Sequence, residues 1–386
     1  MNRSGAEPVR EKGGCHMAWR EEFLIRFGPG SFSGITLGLW WKVLRENRFA
    51  VDRPYWGRAA LIALNCPTNT LLAACERLVH GRRARETKVE PPLFILGAWR
   101  SGTTLLHNLL AQDHRFAYPN NYQVFYPHTF LTTEAAHAQL VGAMFPKTRP
   151  QDNMTMGVRE PQEDEFAIVA LTGRGLPMGW SFPRATGFYD RYLTLRDLSP
   201  SELAEWKAAL AGFVRKLAYK NGKPLVLKSP GHTGRIKRLL ELFPDARFVH
   251  IHRNPYDVFQ STRHMIRKVA PWWALQRPEH GDLDDRVIRQ YNEVYDAFFE
   301  ERGLVPDGRF HELAFEALEA DPVGQVQSLY EALALPDFQA ARPALERYAA
   351  SLANYKKNAY PPLPDDDRER VAREWRRGFE EWGYAR

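Results

Sequence analysis

Leu93-Phe-Ile-Leu-Gly-Ala-Trp-Arg-Ser-Gly-Thr-Thr104 decides the fold. Leu93–Leu96 is short and wholly apolar, as a strand buried on both faces of a parallel sheet has to be. Gly97 and Gly102 bracket a turn, and Thr103–Ala111 resumes at helical spacing. The same order recurs downstream. Leu225–Leu227 is an apolar strand followed by a helix over Thr233–Phe243, and Arg247–His252 alternates as a strand before a helix from Pro255 to Met265. Strand–helix alternation of this kind predicts an α/β fold of three layers, a central parallel sheet flanked by helices. Pro91-Pro92 marks where that domain begins, so 91–386 is read as the α/β domain. Residues 31–90 are read as a helical N-terminal segment and 1–30 as a disordered leader, polar and Gly-rich at its start. Between 113 and 200, Pro, Asn, Tyr, Phe and Gly accumulate, which predicts long functional loops with short helices. Further helices are expected over Ser201–Tyr219, Asp284–Glu301, Pro322–Leu333 and Asp366–Trp382.

Gly97-Ala-Trp-Arg-Ser-Gly102-Thr-Thr104 has the spacing of a Walker A loop, GxxxxGK[ST], and makes the fold P-loop-like. Its glycines let the backbone approach an anion, and the helix start behind it presents N–H groups and positive potential. Thr103 stands in the slot of the Walker lysine. That lysine normally reaches the β- and γ-phosphates beside a Mg²⁺ ion, so ATP or GTP hydrolysis is disfavoured. Arg100 supplies a charge inside the loop instead, with a fork suited to phosphate or sulfate. Arg100, Ser101, Gly102, Thr103 and Thr104 are therefore the first anion-binding residues, and no metal is expected.

The 386 residues carry a net charge of +7, which suits anionic ligands or an anionic membrane surface. No run of five or six Lys/Arg occurs, so no nucleic-acid partner is expected. Three scattered cysteines, with no CxxC, suit a reducing compartment, and a cytoplasmic protein is expected. No segment reads as transmembrane. The richest, Ala59–Ala74, is interrupted by Asn65 and Pro67, leaving Ile35–Leu44 and Ala59–Leu78 as segments for peripheral membrane contact.

A second cluster lies at 225–261. Lys228 sits where a parallel strand ends, the edge at which α/β proteins bind ligands. Arg253 ends the next strand, and Ser261 follows eight residues later on the next helix. The two can converge on one phosphate; taken alone, Arg253 is equally an ion-pair partner. Arg100-Ser-Gly-Thr-Thr104, Lys228-Ser-Pro and Arg253-Asn-Pro with Ser261 together resemble the sulfotransferase family that uses 3′-phosphoadenosine-5′-phosphosulfate (PAPS). The similarity runs over about 90–386 and is closest to the bacterial-type branch that includes tyrosylprotein-sulfotransferase-like sequences. It implies PAPS as co-substrate, the first motif as 5′-phosphosulfate loop, and Arg253 with Ser261 as 3′-phosphate site. It also implies that the late segment Asn354-Tyr-Lys356-Lys357-Asn358, with Tyr360-Pro-Pro, closes over the nucleotide.

Sulfonate transfer is an in-line displacement, catalysed by positioning and charge stabilisation. Arg100 and Lys228 are the candidates to stabilise the sulfonate and the leaving oxygen, though Lys228 can also simply pair with a carboxylate. A general base must take the acceptor's proton. Tyrosine-directed members of the family carry a Glu after the phosphate-loop helix, whereas Tyr118-Pro-Asn-Asn-Tyr-Gln123 has no carboxylate. Glu160-Pro-Gln-Glu-Asp-Glu165 offers Glu163 or Glu165 as replacement, or else only an acidic helix start. His232 and His128 are further candidates. Trp180, Phe182, Trp272 and Trp273 are candidate lining of an acceptor pocket or else core. The acceptor, a phenol, lipid alcohol, carbohydrate or peptide, stays open. The competing readings are a kinase-like phosphoryl transferase and a non-catalytic nucleotide-binding or membrane-peripheral protein.

Overall fold

The computed structural model describes residues 22–28, 30–144, 148–152, 154–278, 281–353 and 355–386. The leader expected over 1–30 falls mostly outside these residues, and its described part is helical at 22–27.

Four parallel strands form one sheet in the order β2-β1-β3-β4, with β1 Leu93–Leu96, β2 Val226–Lys228, β3 Arg247–His252 and β4 Phe310–Ala314. In chain order, the helices that frame the sheet and the site are α1 (Leu37–Glu46), α2 (Trp56–Glu86), α3 (Thr103–Leu110), α4 (Glu165–Thr172), α5 (Pro200–Asn221), α6 (Pro255–Trp273), α7 (Leu283–Glu301), α8 (Pro322–Ala332) and α9 (Phe338–Ser351). All four residues of β1 are buried because the sheet is covered on both sides. Phe94 and Leu96 face a core shared with α5, α6 and α7, while Leu93 and Ile95 face α3, α8 and α9. This is the expected three-layer arrangement.

The N-terminal helices are not set apart from it. Phe32, Ile35, Trp40, Val43, Ile62 and Cys66 share a third core with Val169, Met178, Phe182, Tyr189 and Leu275 from the middle of the chain. Phe182, a candidate for the pocket lining, is buried in that core.

Several boundaries differ from expectation for local reasons. β4 lacks an apolar run; His311 and Glu312 interrupt it because it lies at the sheet edge, where only Leu313 is buried. The expected helix Thr233–Phe243 begins as a 3₁₀ turn, Pro230–Gly234, and becomes α-helical at Ile236. Asp366–Trp382 is two helices, Asp365–Glu374 and Arg376–Trp382, joined at buried Trp375. α2 runs through Pro67 without ending, since one lost hydrogen bond is offset by the packing of Ile62, Cys66 and Asn69 on either side.

Candidate active site

The carboxyl ends of β1, β2 and β3 open onto one basin. Gly97 follows β1, Lys228 ends β2, and Arg253 follows β3. The loop after β1 needs its glycines. Gly97 has φ 146° and Gly102 φ 105°, both left-handed, and a Cβ on Gly102 would lie 2.3 Å from the Phe315 ring. Arg100 is held at φ 69°, which for a non-glycine residue marks local strain of the kind found in binding loops. Ser101 Oγ closes the turn by donating to the Ala98 carbonyl at 2.8 Å, and Thr233 Oγ1 accepts from Gly97 N–H at 2.7 Å. Behind the loop, α3 starts at Thr103 and directs its first N–H groups into the basin.

Arg100, Arg253 and Ser261 come together. Arg100 Nε donates to Ser261 Oγ at 2.8 Å, and Arg253 Nη1 donates to the Arg100 carbonyl at 3.4 Å. Arg253 stacks on Phe315 at 4.5 Å and pairs with Asp257 at 3.2 Å. Its buried Nε has no hydrogen-bond partner among the described residues, so the guanidinium retains a donor for a ligand. Arg100 is thus turned toward the Arg253–Ser261 corner rather than toward Lys228. Its Nη1 is also paired with buried Asp152 at 2.8 Å. Burial pulls the Asp152 carboxyl up, but Arg149 and Arg100 outweigh this and hold it below its ordinary value.

Arg149, which the sequence reading did not single out, occupies the place beside the loop helix. Its Nη1 donates to Thr104 Oγ1 at 3.3 Å, and Lys228 Nζ reaches the same oxygen at 3.5 Å. No motif surrounds Arg149. It is brought in by a short pairing of Thr148 with Thr155.

Lys228 is almost wholly buried and bonds Glu163 Oε1 at 2.7 Å. Burial draws its ammonium below the ordinary lysine value, with Glu163 pulling the other way. Glu163 arrives there because its segment is tied to the stretch 118–123. Asn121 N–H donates to the Glu160 carbonyl at 3.1 Å, Gln162 N–H donates to the Pro119 carbonyl at 2.9 Å, and Gln162 Nε2 donates to Asn121 Oδ1 at 2.7 Å. The stretch that lacks a carboxylate is therefore held against the one that carries Glu163.

The next two acidic residues are committed elsewhere. Glu165 grips Arg235 with both oxygens, at 2.6 and 3.2 Å, and both side chains are buried. Burial raises the Glu165 carboxyl, but Arg235 prevails and holds it low. Asp164 lies 2.8 Å from His232 Nε2 with both side chains fully buried, at ion-pair distance but without hydrogen-bond alignment. Burial raises the Asp164 carboxyl more than His232 lowers it. Glu165 and His232, both candidate bases from the sequence, thus lie in the core on Arg235 and beside Asp164. His128, bonded to the Ala170 carbonyl at 3.1 Å, is half-buried, and desolvation draws it down to about 4.

Tyr360 and Asn358 of the late segment reach the basin. Tyr360 Oη lies 3.3 Å from Ser261 Oγ, and Asn358 Nδ2 donates to the Gln151 carbonyl at 2.9 Å. Lys356 and Lys357 are exposed, and Lys357 pairs with Glu319 at 2.8 Å.

An apolar cleft opens from the Lys228–Glu163 pair. Phe125, Tyr126, Met156, Phe166, Met265 and Val269 line it, with Trp180, Trp272 and Trp273. Phe166 and Trp273 stack at 5.0 Å. Leu24, Gly28 and Gly30 form its N-terminal lip. Lys228, Glu163, Arg149 and Thr104 are the polar groups at the loop end. One compartment is thus cationic and sized by the loop; the other is apolar, and the two meet at a lysine–carboxylate pair.

A family model described as "Sulfotransferase family" matches residues 91–340. The omega-hydroxy-beta-dihydromenaquinone-9 sulfotransferase Stf3 of Mycobacterium tuberculosis (strain CDC 1551 / Oshkosh) is 40% identical over 372 residues, 95% of this chain and 93% of the relative. Its counterpart in Mycobacterium bovis matches to the same degree. Among solved structures, sulfotransferase STF9 from Mycobacterium avium superposes with a TM-score of 0.69 at 18% identity, covering 98% of each chain. Sulfotransferase STF1 from Mycobacterium tuberculosis H37Rv gives 0.60, also at 18% identity, over 95% of this chain and all of that one. These two likenesses speak to the fold.

Proposed function

This chain belongs to the sulfotransferase family and is a sulfotransferase, and we propose that it moves the sulfonate of PAPS onto the terminal hydroxyl of a long menaquinone-like lipid. The observation that carries this reading is the Lys228–Glu163 pair, 2.7 Å apart, at the junction of the phosphate loop and the apolar cleft. The relatives named for an omega-hydroxylated dihydromenaquinone support the acceptor class.

In this reading the 5′-phosphosulfate lies on the loop 97–104 and the start of α3. The 3′-phosphate is taken by Arg253, Ser261 and Arg100, with Tyr360 over it. The acceptor oxygen attacks sulfur in line, and the bond from sulfur to the phosphate oxygen breaks. Lys228 leaves Glu163 for that bridging oxygen and stabilises the charge that develops there. Glu163, so released, accepts the acceptor's proton. Arg149 beside Thr104 takes the role first expected of Arg100, facing the transferring group. The apolar cleft excludes water, so the nucleophile is the seated alcohol.

Calorimetry separates this from phosphoryl transfer. Adenosine 3′,5′-bisphosphate should bind without Mg²⁺ and far more tightly than ATP·Mg²⁺. Preference for ATP·Mg²⁺ would remove the PAPS reading.

A further inference from the structure

The N-terminal helices carry an apolar surface that the fold leaves uncovered. On α2, Leu61, Leu64, Leu71 and Leu78 recur at three- and seven-residue steps on one side, and Leu64, Leu71 and Leu78 are 74%, 66% and 85% exposed. α1 adds Leu37 and Trp41, both exposed, and Trp41 packs edge-on to exposed Phe49 at 5.2 Å. Leu37 N–H donates to Thr70 Oγ1 at 2.9 Å, which joins the α1 face to the α2 face beside Leu71. Exposed single leucines are ordinary; four of them along about 26 Å of one side of a helix are not.

Charge and position say what covers it. Residues 37–86 hold nine Lys/Arg against four Asp/Glu, a local excess of +5 within a chain of +7. Three of the four acids are already neutralised from elsewhere in the fold: Glu46 by Arg174, Asp52 by Arg184 and Glu76 by Lys216. Arg45, Arg48, Arg53, Arg77, Arg83 and Arg85 are exposed around the two ends of the stripe. The first turn of α2 is also fastened to both lips of the acceptor cleft. Gly57 lies under Phe27, whose ring a Cβ would meet at 2.7 Å. Arg58 donates to the Ile25 carbonyl and, at 2.6 Å, to the Ala274 carbonyl just after α6. Exposed Trp56 sits at that same turn.

We propose that this α1–α2 face docks the protein on an anionic lipid bilayer, with the leucine stripe in the interface, the arginines on the headgroups and the cleft opening at the membrane. No helix among the described residues is long and apolar enough to cross a membrane, so the contact is peripheral. The inference rests on the lipid acceptor proposed above. It gives that acceptor a route: an alcohol that stays in the bilayer reaches Lys228 and Glu163 through a cleft whose lip is held by the docking helix.

The test is cosedimentation with vesicles of phosphatidylglycerol and phosphatidylcholine, alongside turnover of a detergent-dispersed omega-hydroxy isoprenoid quinone. The parent should bind anionic vesicles and release as salt rises. Leu64→Glu/Leu71→Glu/Leu78→Glu should lose at least about tenfold in partitioning, with unchanged turnover in detergent. Arg83→Glu/Arg85→Glu should lose about tenfold or more on anionic vesicles only, which keeps the test open if the leucine variant misfolds. A parent that ignores the vesicles, or variants that bind like the parent, would overturn the proposal. So would a parent dimer that the leucine variant splits without loss of vesicle binding, since the face would then join two copies. Vesicle binding that follows these residues, in a protein that does not turn over the dispersed alcohol, supports the docking face and overturns the acceptor reading alone.

Discussion

Exchanging Glu163 and Glu165 for glutamine, one at a time, should break two different properties of the same short run. Glu163 faces the cleft and bonds Lys228 at 2.7 Å; Glu165 is buried on Arg235 at 2.6 and 3.2 Å. Losing a general base lowers the chemical step by about 100- to 10,000-fold, or roughly 2.7–5.5 kcal/mol in the barrier. Glu163→Gln should therefore lower kcat by at least about 100-fold and leave bisphosphate affinity within about threefold, because Glu163 touches neither Arg253 nor Ser261. Its cost to stability should be smaller than that of Glu165→Gln, since the Glu163 side chain is 18% exposed and a glutamine there still accepts from Lys228. Glu165→Gln removes one partner of a fully buried ion pair, which costs about 3–5 kcal/mol. It should lower Tm clearly while the folded fraction keeps parent kcat. The assay is release of adenosine 3′,5′-bisphosphate at saturating donor, read beside thermal unfolding. A Glu163→Gln enzyme within about threefold of parent kcat would refute the base assignment. A Glu165→Gln protein of parent stability but collapsed kcat would reverse the two roles.

Arg253→Ala and Ser261→Ala should each weaken the bisphosphate by about 10- to 100-fold in calorimetry, the range for a charged hydrogen bond, with little change for adenosine 5′-monophosphate. Gly102→Ala puts a methyl 2.3 Å from the Phe315 ring on which Arg253 stacks, so bisphosphate binding should fall along with Tm; unchanged affinity would contradict that coupling. Burial holds Lys228 below the ordinary lysine value, so an ammonium needed on the leaving oxygen is lost early as pH rises. The alkaline limb of kcat/KM should fall below about 10.4 and disappear in Lys228→Arg, whose charge persists. The Glu165 carboxyl is depressed in the folded protein, so its contribution is full above the unfolded value of about 4.3 and is lost as pH falls through the folded value. Acid unfolding of Glu165→Gln should be correspondingly less steep.

The strands that were legible, β1, β2 and β3, are those buried on both faces, where apolar runs are obligatory. β4 escaped because an edge strand can carry His311 and Glu312. The turn after β1 was legible because its backbone needs glycine at 97 and 102, a local constraint. The acidic run was not. Glu163, Asp164 and Glu165 are adjacent in sequence, yet they meet Lys228, His232 and Arg235 respectively. Which of them faces the cleft is set by how β2 and the turn after it lie against α4, a tertiary fact that local pattern does not carry. Arg149 and Asp152 were invisible for the same reason, since they reach the loop through a fold of the chain rather than through a motif. Arg100 was read as aimed at the sulfonate, and only its bonds to Ser261 and Asp152 turn it to the Arg253–Ser261 corner.

Sulfonate transfer from PAPS to a lipid hydroxyl is the activity proposed for the Lys228–Glu163 junction. It is tested most directly by incubating the protein with PAPS carrying a radiolabelled sulfonate and an omega-hydroxy menaquinone, then resolving the products by mass. The expected result is one sulfate ester on the terminal hydroxyl, one adenosine 3′,5′-bisphosphate released for each, and neither product from Glu163→Gln at a comparable rate. Label that stays on the nucleotide with this lipid, but moves readily to a sugar or a water-soluble phenol, would contradict it.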